Sequence, residues 1–512
     1  MSVMNKFNES IIFLLGLINL IKATPVADNR DYWNKRAAIL SAEKNNFMGS
    51  NLLLSSDEQL ANEVLGNLKK EEIDQAFEDQ TKFYPASNFM QVQSKIEKSK
   101  VFRVIKMMPK GAVLHTHDLS LVSENWLYNN VTYRDNLYIC NQTESLMLKF
   151  FAAPPSDCDW KLLKDVRESA ASLDDVNTQI RGELSLITDN PDAAYPDNYF
   201  AWIKFLKVYK VLRSMVTYRP VFEDSFYQAL QEFHDDNVFY LELRASLPTV
   251  YDLNGTEYGQ MEVMKIYQEV ADRFKKDYPD FFGVKVIFSL SAIKKIASLR
   301  KIDESISKAI EMKNKFSELF AGLDMDGYED RRMPLKKFVE QLTKINSEIK
   351  FFFHAGETNW NGFDSDENVL DAVLLNTSRI GHGLAILKHP KILKLAKEKN
   401  IPLEMCPVSN QVLKLTPDLR NHPASMLFAE NYPVVISNDD SGLWGSTGLS
   451  YDFYEAFMGI MPRSADLRAL KQLAINSIIY SAMNDHEKQR ALGIWFQKWA
   501  EFIRKVNNLT DL

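Results

Sequence analysis

The chain has 512 residues, 46% of them apolar, 25% charged and 12% aromatic, with 19 Gly and 18 Pro. That profile excludes a disordered, collagen-like or low-complexity chain and leaves room for a large core. With 61 Lys+Arg against 68 Asp+Glu the net charge is −7, which argues against a broad electrostatic grip on nucleic acid or anionic lipid and suits a small neutral substrate.

Residues 1–23 read as a secretory signal. Lys6 opens a weakly positive region, residues 11–21 form an apolar run too short to span a bilayer, and Ala23 offers a small residue at the cleavage point. Residues 24–106 follow as a helical segment, with apolar residues at helical spacing over 31–44, 56–68 and 70–77 behind acidic or serine starts. No later stretch is long and apolar enough for a membrane helix, so the mature chain is expected to be soluble.

From Gly111 onward short apolar runs alternate with amphipathic helical stretches. Strands are expected over 111–117, 238–244, 284–289, 320–325, 350–354, 379–382, 402–406 and 434–437, with helices between them such as 261–276, 301–316, 366–375 and 389–399. Eight strands in repeating β-then-α order predict an α/β fold, a (β/α)₈ TIM-type barrel over 107–512 with chemistry at the C-terminal strand ends. About 120 residues separate His117 from Val238, far more than a crossover needs. An inserted subdomain over about 129–188 is therefore expected, then helices over 198–234 that return to the barrel. Cys140 and Cys158 lie in that insertion among turn residues and read as a disulfide. Sequons at Asn130, Asn141, Asn254, Asn376 and Asn508 are glycan acceptors in a secreted chain. Cys406, in an apolar run, reads as a core thiol, and residues 465–506 as closing helices.

Four of the eight histidines fall at predicted strand ends: His115, His117, His354 and His382. In Leu114-His115-Thr116-His117 the period of a strand puts both imidazoles on one face, where they can share a divalent metal. Alone, that spacing is commonly structural. His354 ends the fifth strand and Asp439 the eighth, and strands one, five and eight reach one point at a barrel mouth. Three imidazoles and one carboxylate suit zinc better than magnesium or calcium, and such a site lowers the pKa of a water towards neutrality. Glu357, three residues beyond His354, is placed as a proton donor to the group under attack. His382, between Gly381 and Gly383, is placed as the base for the water, and the glycines allow close backbone approach. Asp440 is either a hydrogen-bond partner for a substrate nitrogen or a support for a metal-bound histidine. His234, His389, His422 and His486 lie among charged residues and read as surface positions.

These segments resemble the adenosine deaminase family of the metal-dependent amidohydrolases. The run Met108-Pro109-Lys110-Gly111-Ala112-Val113-Leu114-His115-Thr116-His117 matches the family's opening motif; His354-Ala355-Gly356-Glu357, Gly381-His382-Gly383 and Ser437-Asn438-Asp439-Asp440 match three more in order. The signal, helical segment, insertion, and the runs at 414–420 and 449–453 are similar to the secreted branch, the adenosine deaminase-related growth factors. The resemblance implies one Zn²⁺ per chain held by His115, His117, His354 and Asp439, with Glu357 protonating purine N1 and His382 as general base. It implies Asp440 on N7, the Gly327 backbone at N3, Asp118 at the ribose and Trp202 covering the nucleoside. Adenosine and 2′-deoxyadenosine would be hydrolysed to inosine or deoxyinosine and ammonia. The branch further implies an extracellular enzyme that modulates adenosine and acts as a growth factor, a homodimer through the N-terminal helices, and a cell-surface receptor or glycan for the insertion. Where some members carry a His after the third strand, this chain reads Phe288-Ser289-Leu290-Ser291.

Two other readings remain. One keeps the metal barrel but changes the substrate to another purine or an amide-like bond, against which Asp440 and Gly327 speak. The other is a signalling protein with a vestigial barrel, against which the intact ligand, acid and base set speaks. The zinc deaminases built on H-x-E and P-C-x-x-C are excluded, since neither motif occurs.

Overall fold

The computed structural model describes residues 28–142, 145–291 and 299–509. The expected signal at 1–23 lies outside the described residues, as do Thr143 and Thr510 of two sequons.

The strands in chain order are β1 (Gly111–His117), β2 (Leu137–Gln142), β3 (Ser145–Phe150), β4 (Lys161–Leu162), β5 (Val238–Ala245), β6 (Val250–Tyr251), β7 (Glu257–Tyr258), β8 (Gly283–Ser291), β9 (Phe320–Asp326), β10 (His354–Ala355), β11 (Ile380–His382), β12 (Leu403–Met405) and β13 (Val434–Ile436). All eight expected barrel strands form. They pair in parallel as β1-β5-β8-β9 and as β10-β11-β12-β13. Two seams join the halves. At one, Leu323 and Phe352 exchange backbone bonds with their neighbours across the gap (Leu323 N–H to Lys350 O and Phe352 N–H to Leu323 O, 2.9 Å each). At the other, Asp439 N–H donates to His115 O at 3.1 Å and His117 N–H to Asp439 O at 3.3 Å. Every residue of β1 and β5 is buried, as a parallel strand covered on both faces must be. Their near-continuous apolar composition follows from that, and so did their legibility.

Gly322 makes the first seam possible. A Cβ there would fall against the Lys350 carbonyl and 2.8 Å from the Phe352 ring. Gly322→Ala is expected to destabilise the fold by about 1–3 kcal/mol or more, the usual result of overpacking a closed core; a denaturant midpoint equal to that of the parent would refute this account of the seam.

The interstrand helices sit close to expectation, at Gln260–Asp277, Leu299–Lys315, Asp364–Leu374 and Pro390–Glu398. Between β1 and β5 the insertion folds as an antiparallel sheet in the order β3-β2-β4 with helices Leu163–Ser169 and Leu173–Leu184. Cys140 and Cys158 are bonded, their Cα atoms 6.4 Å apart. Helices Asn198–Val216 and Arg219–Asp235 lead back to the barrel, and on the first of them Ser214 Oγ donates to Leu148 O at 2.7 Å. In the N-terminal segment the helix Ser56–Glu78 is continuous where two were expected. Lys69, at the anticipated break, is fully buried, donates to Pro462 O at 2.9 Å and lies 3.8 Å from the Phe457 ring centre, so tertiary contacts hold the helix through it. Ser55 and Glu58 form a capping box at its start, and Trp499 of the C-terminal helix Asp485–Asn507 donates to Glu58 at 2.7 Å. The preceding helix, Asn29–Asn46, buries none of its residues. Among the described residues no helix is long and apolar enough to cross a membrane.

Candidate active site

Three strand ends converge at the barrel mouth. His115 and His117 project from one face of β1, His354 opens β10, and Asp439 follows β13. One ligand atom from each lies within 4.8 Å of the others, and all four side chains are buried. Asp439 Oδ1 is 3.2 Å from His117 Nε2 and 3.4 Å from His115 Nε2. Asp439 and His382 both adopt left-handed backbone, at φ 59° and 57°, which costs of order 1–3 kcal/mol per residue bearing a side chain. The strain is stored where the chain turns these groups into the mouth. Gly381 leaves room for His115 and His354: a Cβ there would sit 3.0 Å from the His115 ring and 3.3 Å from His354 Cα.

The donor set fits a metal ion. His115 Nε2 is buried without a hydrogen-bond partner among the described residues, and a buried orphan of that kind calls for a ligand. Two of the three Nδ1 atoms are held from behind: His115 Nδ1 is 2.8 Å from Glu404 Oε2, and His354 Nδ1 is 2.6 Å from Asp324 Oδ2. Such outer carboxylates fix the tautomer that leaves Nε2 free to ligate. The local field also favours positive charge. Burial opposes charging His117, yet the carboxylates of Asp440, Asp439 and Asp326 push it up to about 10. Burial likewise opposes charging Asp439, and the surrounding histidines hold it well below the usual carboxylate range.

Glu357 and His382 stand beside this cluster, with His382 Nε2 3.6 Å from Glu357 Oε1 and 3.8 Å from Asp439 Oδ2. The turn carrying Glu357 is held by Glu329, whose carboxylate accepts from Gly356 N–H at 3.0 Å and Glu357 N–H at 2.6 Å. Burial, then the nearby carboxylates of Asp439 and Glu329, raises the Glu357 carboxyl well above its ordinary value, which favours its protonated form. Burial drives Asp440 up to about 8 against the pull of His117, and Ser120 Oγ donates to it. A protonated Asp440 can donate as well as accept.

These groups open into a cavity of about 710 Å³ whose lining includes His117, His354, Glu357, His382, Asp439 and Asp440 together with Gly327, Trp202, Tyr328 and Phe205. That volume suits a small-molecule site. Trp202 stacks on Tyr328 with ring centres 5.0 Å apart. Asp118 does not line the cavity. Its carboxylate accepts from Tyr209 and Tyr267 hydroxyls at 3.3 Å each and from Ser246 N–H at 3.1 Å. His422, expected at the surface, is buried, its ring held inside by Asn410 Oδ1 at 3.1 Å. Sequence reasoning also missed Asp324, Glu404, Glu329 and Arg244. The one available signal was charge inside apolar strands, as in Tyr240-Leu241-Glu242-Leu243-Arg244.

Comparison with known proteins agrees with this geometry. Residues 183–494 match the family model for adenosine deaminase, and residues 13–105 match that for the adenosine/AMP deaminase N-terminal region. The chain is 43% identical to adenosine deaminase 2 of Homo sapiens over 479 residues, 92% of this chain and 93% of that protein. It is 40% identical to the adenosine deaminase of Lutzomyia longipalpis over 487 residues, 93% and 94% of the two. Among solved structures, an amidohydrolase from Burkhoderia ambifaria with bound Zn superposes with a TM-score of 0.54 at 19% identity, over 79% of this chain and 94% of that one. The N6-mAMP deaminase of Arabidopsis does so at 0.54 and 17%, over 77% and 99%. Fold, strand-end cluster and sequence agree that the chain belongs to the adenosine deaminase family.

Proposed function

We propose that the chain is a zinc-dependent adenosine deaminase, hydrolysing adenosine to inosine, and 2′-deoxyadenosine to deoxyinosine, with release of ammonia. The observation that carries this reading is the convergence of His115, His117, His354 and Asp439 on one point at the edge of a cavity that also presents Glu357, His382 and Asp440. Three imidazole nitrogens and one carboxylate favour zinc over magnesium or calcium. When bound, such an ion supplies Lewis acidity that brings the pKa of a water towards neutrality. Glu357, its protonated form favoured by burial, donates to purine N1 as the oxygen of a water that has released one proton to solvent adds at C6; the C6–N6 bond then breaks, the remaining proton of that oxygen passing to the nitrogen that leaves as ammonia. His382 orients that oxygen. Asp440, kept protonated, donates to N7, and the Gly327 backbone borders the N3 edge. Trp202, stacked on Tyr328, closes the cavity over the nucleoside. Asp118, held behind the wall by two tyrosines, acts on the ribose through Tyr209, which lines the cavity.

The Cys140–Cys158 bond supports an oxidising, extracellular setting. Tyr32, Trp33, Ile39 and Leu40, all exposed on the helix Asn29–Asn46, support a homodimer formed through it. The insertion as a receptor or glycan contact, and growth-factor action, extend the same reading. Purified protein is expected to deplete the adenosine absorbance, to stop after a zinc chelator, and to recover with added Zn²⁺. Turnover that persists after metal is removed to below stoichiometric traces would sink the metal-dependent reading.

A further inference from the structure

A chain of hydrogen bonds leads from a backbone amide to His382. Ala424 N–H donates to His422 Nδ1 at 3.1 Å. A backbone amide only donates, so this nitrogen accepts and the ring proton of His422 sits on Nε2. That nitrogen lies 3.1 Å from Asn410 Oδ1, the atom of the amide able to accept from it. The amide therefore turns Nδ2 towards His382, 3.2 Å from its Nδ1. Since an amide NH₂ also only donates, His382 Nδ1 is an acceptor. The proton of a neutral His382 then belongs on Nε2, the nitrogen facing Glu357 and Asp439.

All three side chains are buried. The Asn410 main chain is anchored on both sides, donating to Cys406 O at 2.9 Å and accepting from Leu415 and Thr416 N–H at 2.9 Å each. A His382 with its proton on Nδ1 would set ring N–H against amide N–H where no water competes, leaving a buried donor unsatisfied. A base acting through Nε2 requires that disfavoured form.

We propose that Asn410 and His422 form a tautomer lock, holding the His382 proton on Nε2 so that His382 meets the attacking oxygen as a hydrogen-bond donor and not as a base. The identity of that oxygen rests on the deaminase reading; the position of the proton does not. Asn410 and His422 are positioning residues, acting through His382.

Metal-loaded enzyme with its eight histidines labelled with ¹⁵N would be read by long-range ¹H–¹⁵N correlation, the His382 signals being assigned by their loss in His382→Gln. An Nε2–H ring is expected; an Nδ1–H ring or a doubly protonated one overturns the lock. Asn410→Asp puts an acceptor opposite Nδ1 and is expected to bring a proton there. Its kcat should fall about 100-fold or more, the scale of a wrong-tautomer histidine, with KM within about threefold and metal content unchanged. Parental kcat in that variant, with the ring signal showing the proton on Nδ1 alone, overturns the donor role. The spectrum of the parent enzyme decides the proton's place even where the variant does not fold. Failure to hydrolyse adenosine would strike the deaminase reading, while the proton's place on the ring would still be decided by the spectrum alone.

Discussion

Glu357→Gln is expected to lower kcat on adenosine by about 10³-fold or more while the protein keeps its metal, its fold and its nucleoside affinity to within a few-fold. Glutamine preserves the shape and the backbone bonds by which Glu329 holds this turn. It removes one property, a proton that can be given up. The carboxyl is suited to hold that proton because burial and the nearby carboxylates of Asp439 and Glu329 raise it well above its ordinary value. The same variant separates two arrangements. Glu357, His382 and Asp439 also lie close enough together to hold an ion, and in that arrangement the substitution would cost metal as well as turnover. Retained metal with lost turnover identifies Glu357 as a proton donor; retained turnover rejects that role.

The barrel was legible because its strands are buried on both faces and read as uninterrupted apolar runs. The grouping of His115, His117, His354 and Asp439 into a cluster that could hold a metal was legible because the strand period and the strand ends locate side chains without any tertiary information. The insertion's antiparallel sheet was not. The run joining β2 to β3, Asn141-Gln142-Thr143-Glu144-Ser145, lacks the Asn-Gly or Asp-Gly pair that announces a hairpin. His422 was misread for a related reason. Its neighbours Arg420 and Asn421 look solvated, and only contact with Asn410, twelve positions away, brings it inside. The supporting carboxylates were hidden more deeply, since Glu404 reaches Arg244 across 160 positions and Asp324 reaches His354 across 30. A buried charge can be seen in a sequence, but its partner cannot.

Arg244→Met is expected to cost about 3–5 kcal/mol of stability, because it strips the shared cation from two buried carboxylates. Arg244 is fully buried; its Nε is 2.8 Å from Asp324 Oδ2 and its Nη2 is 2.6 Å from Glu404 Oε2. Its Nη1 also donates to Leu114 O at 2.8 Å, one residue before His115. Burial alone would raise both carboxyls. For Asp324, His354 and Arg244 outweigh it; for Glu404, Arg244 and Arg379 do. Both carboxyls are thereby held well below their usual range. A carboxyl whose folded pKa is depressed contributes stability that is complete above its unfolded value, about 4, and lost as pH falls through the folded one. The parent should therefore weaken steadily below about pH 4, and the variant, already deprived of that contribution, should show a shallower acid limb. The damage also extends to the metal centre, since the same oxygens orient His115 and His354. Metal affinity should fall about 10- to 100-fold, the usual cost of losing an outer-layer partner, as read by competition with a chelator. Arg244→Lys keeps the charge but not the planar fork, so it should recover part of the stability and little of the affinity. A variant as stable as the parent across the acid range would mean that the buried carboxylates are supported from elsewhere, and that the charge lattice beneath the site is not what keeps its histidines in place.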